Sequence, residues 1–304
     1  MGIPRAGATS TKGAGGTKTQ AKPPATKTPK SKQTKQQTPK TQKELRLDKI
    51  NSTMSTTEAQ EFEKLVRSRP EIESAYSKYG DRVSSITRSN NGGVFRRSNK
   101  SVEFSFSKYP EIDKYSTLSH EMGHAIDYFS SADLPVSYSE VDLVNRKTAG
   151  LIKRSPSTSD EFLVAMRKDA TALEQALKDP NIVRELNADN ASSGIQDFAD
   201  GLFGTQDKGV LRWGHGNKYY NRLYNKGVKA YGMEDDLIDA YEELGKGRLT
   251  KTKAKAMMRQ YDTASELWAN GMSALTVGGK ELEYMQKYAP NTLDAILNIL
   301  GGIK

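Results

Sequence analysis

Cysteine is absent from all 304 residues, so no disulfide can brace the fold and the chain suits any redox compartment. No apolar run approaches the ~18 residues that a membrane span needs, and no apolar h-region marks a secretory signal. The expectation is a protein without a membrane contact that does not leave by the general secretory route. Internal repeats and glycine-rich phosphate loops are missing too; Gly92-Gly93 and Gly278-Gly279 read as turns. Hydrophobic residues make up 35% of the chain, which is thin for a protein packed throughout.

That shortage is local. Residues 1–43 are mainly Lys, Thr, Gln, Pro, Ala and Gly, with ten basic residues and no acidic one. Such a segment cannot bury enough surface to offset the entropy of ordering, so residues 1–45 read as a disordered basic tail and 46–304 as the folded domain. The chain carries +9 in all, of which +10 lies in residues 1–43, leaving −1 for the remainder. The folded part therefore needs no basic face, whereas the tail has the charge for non-specific contact with nucleic acid or another polyanion.

From Glu44 the pattern turns helical. Phe62, Leu65 and Val66 recur at helical spacing after Thr56 and before Pro70, and a second short helix fits Glu71 to Tyr79, ending at Gly80. The period then changes. Val83 and Ile86 open a strand, Asn90-Asn-Gly-Gly is a turn, and Val94-Phe95 leads through Ser98-Asn99-Lys100 into an alternating run, Val102 to Phe106, as a hairpin. Helices fit Asp160–Leu177, Asn181–Ala188, Gly194–Phe203, Lys218–Ala230, Glu234–Leu244, Asp262–Leu275 and Asn291–Leu300. The fold class expected is α+β, rich in helix, with a small, mainly antiparallel sheet.

Of the three histidines, two stand four residues apart in Thr117-Leu-Ser-His-Glu-Met-Gly-His-Ala-Ile-Asp127. At ~100° per residue Leu118, Met122, Ala125, Ile126 and Phe129 share one arc of a helix, while His120 and His124 point away from it. Two imidazoles one turn apart can grip a single tetrahedral zinc ion, and Glu121 beside them is positioned to act as a general base. Gly123 and Ala125 are expected to keep the surface near the metal low. Asp127 is a candidate to accept the outward N–H of a ligand imidazole, or else an exposed acid.

This segment resembles the metal-binding helix of zincin-type metallopeptidases, in which both histidines bind zinc and the glutamate activates water. A wider resemblance, to zincin-like domains of minor head or capsid-associated proteins of tailed bacteriophages, runs through Trp213-Gly-His215, Tyr219-Tyr220, Ser265-Glu266-Leu-Trp-Ala-Asn270 and Tyr288-Ala-Pro290. What it implies is a zinc-dependent peptidase acting on an extended protein or peptide substrate, in a bacterial cytoplasm or a phage virion. The strand just before the histidine helix is expected to be the edge that pairs with that substrate, or simply one wall of the core. A zincin-like head component without turnover, and an effector or toxin peptidase, are the alternatives.

A catalytic zinc site takes three protein ligands, and the third is open between Glu266, His215 and an acid such as Asp197. Glu266 resembles the downstream glutamate of gluzincins, whose pattern usually ends in a second acid where this chain has Asn270. If Glu266 binds the metal, His215 is free to donate a hydrogen bond to a developing oxyanion.

Overall fold

A computed structural model of the protein describes residues 47–131, 133, 134, 136, 155–220 and 251–303. The chain divides at Lys43/Glu44, and all of these residues belong to the second unit. The tail and the helix expected at Glu234–Leu244 lie outside the described residues, as does most of Lys218–Ala230.

The first helices are α1 (Asp48–Asn51), α2 (Thr56–Val66) and α3 (Pro70–Tyr79). Ser55 starts α2 with a capping box: its hydroxyl accepts the Glu58 N–H while the Glu58 carboxylate accepts the Ser55 N–H. Pro70 takes the first position of α3, where its missing N–H costs nothing. Strands β1 (Ser85–Arg88), β2 (Val94–Arg96) and β3 (Ser101–Phe104) then form one sheet in the order β1-β3-β2. The expected hairpin is there, Phe95 opposite Val102, with Lys100 in the left-handed region at the turn. β1, however, runs parallel to β3, so the sheet is mixed rather than mainly antiparallel.

This arrangement corrects the strand expected at the substrate edge. β3, just before the histidine helix, is central and has partners on both sides; β1 and β2 are the edges. The alternation of Val102, Phe104 and Phe106 reports burial of one strand face and carries no signal of which strand lies beyond it.

Helix α4 (Ser116–Ser130) carries the histidine motif, and its Leu118, Met122, Ala125 and Ile126 are fully buried, as their spacing predicts. After it come α5 (Asp160–Ala176), α6 (Pro180–Ala188), α7 (Ser193–Phe203), the short α8 (Gly216–Tyr220), α9 (Lys251–Val277), α10 (Gly279–Tyr288) and α11 (Pro290–Gly301). The molecule is thus a helix-rich α+β structure with one small mixed sheet. Among the described residues, no helix is long and apolar enough to cross a membrane.

The α4/α9 contact is the most extensive between any two elements of the unit and sets the geometry of everything near the histidines. Gly123 makes it possible: a Cβ there would lie 2.9 Å from Ala269 Cα and 3.0 Å from Met272 Cβ. Gly123 therefore faces the α9 backbone, and its smallness serves helix packing instead of lowering the surface beside the histidines. Trp268, fully buried on α9, meets the Phe162 ring of α5 edge-on at 5.5 Å.

Candidate metal centre

Helical spacing brings His120 and His124 to one side of α4, their rings 4.8 Å apart and edge to face. Opposite them α9 presents Glu266, whose side chain is almost fully buried, 6% exposed. Its Oε2 lies 3.4 Å from His120 Nε2 and 3.4 Å from His124 Nε2. Those three side chains form a group able to hold a metal ion.

The spacing fits zinc. Ligand atoms around a tetrahedral ion with bonds of about 2.0–2.1 Å stand roughly 3.3–3.4 Å apart. Glu266 Oε2 is buried with the two imidazole nitrogens as its neighbours, so a positive charge among the three, a metal ion or a proton on a ring, has to satisfy it. The far nitrogens of both rings are held: His120 Nδ1 lies 2.9 Å from Asn270 Oδ1 and His124 Nδ1 lies 3.3 Å from Ser265 Oγ. An amide oxygen can only accept, so His120 Nδ1 bears a proton and Nε2 is the nitrogen left to face Glu266, as a metal ligand or, without a metal, as the site of the second proton.

Asp127 is not part of this arrangement. Its carboxylate, 2% exposed, accepts the Ser157 N–H at 2.8 Å and the Ser157 hydroxyl at 2.7 Å, tying α4 to the turn before α5. The ring nitrogens it was expected to meet face α9, across the interface. Asn270 and Ser265 fill that role instead, both on the helix of Glu266.

His215, on the loop entering α8, forms a second group with Asp197 of α7 and Glu266. Its Nδ1 lies 2.5 Å from Asp197 Oδ1, which also accepts the His215 N–H and the Tyr220 hydroxyl. With three donors on that oxygen, Asp197 serves as the anchor of His215. The Tyr219 ring lies against the His215 ring, 3.9 Å between centroids, and its hydroxyl donates to Glu266 Oε1. Of the three candidates for third ligand, Glu266 alone stands beside both histidines of α4.

No family model, curated protein or solved structure matches this chain. Its chemistry has to be argued from the side chains.

Burial works against charge at Glu266, but His124 and His120 outweigh it and hold the carboxyl well below its ordinary value. Glu121 goes the other way: burial pushes its carboxyl up against the pull of His120 and His124. It lies beneath the segment entering β2, where the Phe95 N–H faces it and Gly93 crosses so closely that a Cβ would sit 2.7 Å from Glu121 Oε1. At His215 burial favours the neutral ring, yet Asp197 holds the pKa above the usual imidazole value. Because Nδ1 is committed to Asp197, Nε2 is the nitrogen that would carry a second proton.

His120, Glu121, His215 and Asn270 line one cleft of about 720 Å³. The segment of Gly92 and Gly93 borders it, as do Ser105–Ile112 and the start of α7.

Proposed function

We propose that this protein is a zinc-dependent peptidase of the zincin type, its metal held by His120, His124 and Glu266. The observation that carries the reading is the buried Glu266 Oε2 at 3.4 Å from two imidazole nitrogens one helical turn apart, beside a carboxylate in an open cleft. Zinc supplies Lewis acidity, which makes water nucleophilic near neutral pH and polarises a carbonyl. Glu121, its pKa raised by burial, takes the proton of the attacking water and passes it to the leaving amine nitrogen. His215, held by Asp197, donates from Nε2 to the oxyanion that develops as the carbonyl is attacked.

An extended substrate suits the cleft because the segment that borders it, Gly92 and Gly93, leads into an edge strand, β2. The Phe95 N–H is taken up by the Glu121 carboxylate, so the backbone that borders the cleft beside the base is that of Gly92 and Gly93, just before β2. The decisive experiment joins metal analysis to hydrolysis of a denatured test protein. Wild type should bind one zinc and cut; Glu121→Gln should keep the zinc and lose cleavage by a factor of about 10² or more. Full activity in Glu121→Gln would refute the assignment of the base, and failure of wild type to retain zinc would refute the centre.

A further inference from the structure

One carboxylate in the cleft takes no part in the chemistry above. Glu281, half-buried near the start of α10, accepts hydrogen bonds at Oε2 from Ser116 (2.8 Å) and Ser273 (3.2 Å). Its Oε1 is buried and has no hydrogen-bond partner. The two serines that orient it stand on α4 and α9, the helices that carry the histidines and Glu266. All three side chains line the same cleft as His120 and Glu121. Burial pushes the Glu281 carboxyl up to about 7, the behaviour of an acid that lacks a counter-charge.

Its position relative to the reacting centre follows from helix geometry. Ser116 precedes His120 by four residues on α4, a displacement of about 6 Å along the axis. An extended peptide advances ~3.3 Å per residue, so for a substrate running along α4 Glu281 would lie one or two residues from the bond at the metal. The cleft wall there is apolar, with Ile195, Ala274 and Met285. An oriented acid below an apolar wall matches a long side chain whose stem is hydrocarbon and whose tip is a cation.

Resting on the peptidase reading, we infer that Glu281 is a specificity residue that receives a substrate lysine or arginine one or two positions from the cleaved bond. The serines hold Oε2, and Oε1, buried and unsatisfied in this structure, is the oxygen that the ammonium or guanidinium pairs with as the carboxylate shifts toward the cleft to meet it. A neutral or acidic side chain at that position leaves the oxygen unsatisfied or repels it.

The test is binding to the full chain, zinc-loaded and carrying Glu121→Gln so that peptides are held uncut. The probes are fluorescein-labelled alanine decapeptides with a single Arg, Lys, norleucine or Glu moved through the sequence, followed by anisotropy. The expected result is a register at which Arg and Lys bind about 10- to 100-fold more tightly than norleucine, as for one charge-assisted contact. Adding Glu281→Gln should reduce that ratio to within about twofold without weakening the norleucine peptide, since glutamine still accepts from both serines. Glu281→Lys should turn the preference toward Glu. Equal affinity for all four series, absence of binding included, or a basic preference that survives Glu281→Gln, would overturn the inference. Cleavage by wild type separates it from the parent reading: Arg peptides bound but never cut would remove the peptidase and leave the subsite, while cutting indifferent to charge would do the reverse.

Discussion

Burial favours the neutral form of His120, yet Glu266 and Glu121 beside it raise its pKa to about 9. In the metal-free protein that ring is therefore protonated across the neutral range, and an ion arriving at the site has to displace the proton. The sign is fixed: apparent zinc affinity should fall by about tenfold for each pH unit below roughly 9, and level off above it. Competition with a chromophoric chelator between about pH 7 and 9 measures the slope, and a flat profile would contradict it. That His120 and His124 share one side of a helix with Glu121 beside them was legible in the sequence, because spacing alone puts them on one turn. The groups that orient them were harder to read. Asn270 and Ser265 act across an interface, and Asp127, on the correct helix, is spent on Ser157.

At the scale of the element, the segment entering β2 is held against α4 by the absence of a side chain at Gly93. A methyl group there would lie 2.6 Å from Thr117 Cγ2 and 2.7 Å from Glu121 Cγ, so either the segment lifts or the carboxylate turns away. Gly93→Ala should accordingly lower kcat by about tenfold or more while zinc content stays unchanged, because a shift of ~1 Å in a catalytic group has that scale of effect. Unaltered kcat would mean that Glu121 does not work from beneath this segment. In the sequence Gly92-Gly93 reads only as a turn, since periodicity carries no information about what crosses over a helix. The helices themselves were mostly legible: α2, α3, α5, α6, α7 and α11 fall within a few residues of their expected limits. α10 was not foreseen. It is short and mostly polar, and packing of Met285 and Tyr288 holds it in place.

For the molecule as a whole, α9 is the member on which the rest depends. It packs along α4, touches α7, α10 and α11, and buries Trp268 against Phe162. Trp268→Ala should cost about 3–5 kcal/mol in urea unfolding, the usual range for emptying a large aromatic site. Trp268→Phe should cost less, because the buried indole N–H has no hydrogen-bond partner to lose. A loss below about 1 kcal/mol for the alanine change would place this ring outside the true core. The parallel pairing of β1 with β3 belongs to this scale as well. Residue alternation within a strand does not record which neighbour lies beside it, and the order β1-β3-β2 is decided by the packing of the whole unit.

The two halves of the centre come from stretches far apart in the chain: His120 and its partner Asn270 are separated by 150 positions. A polypeptide emerging from synthesis would thus carry its histidine pair long before the glutamate arrives to complete the set. Under the peptidase reading, cutting power switches on only when the late helix has docked against the early one, a built-in delay that protects the unfinished chain and its neighbours from premature hydrolysis.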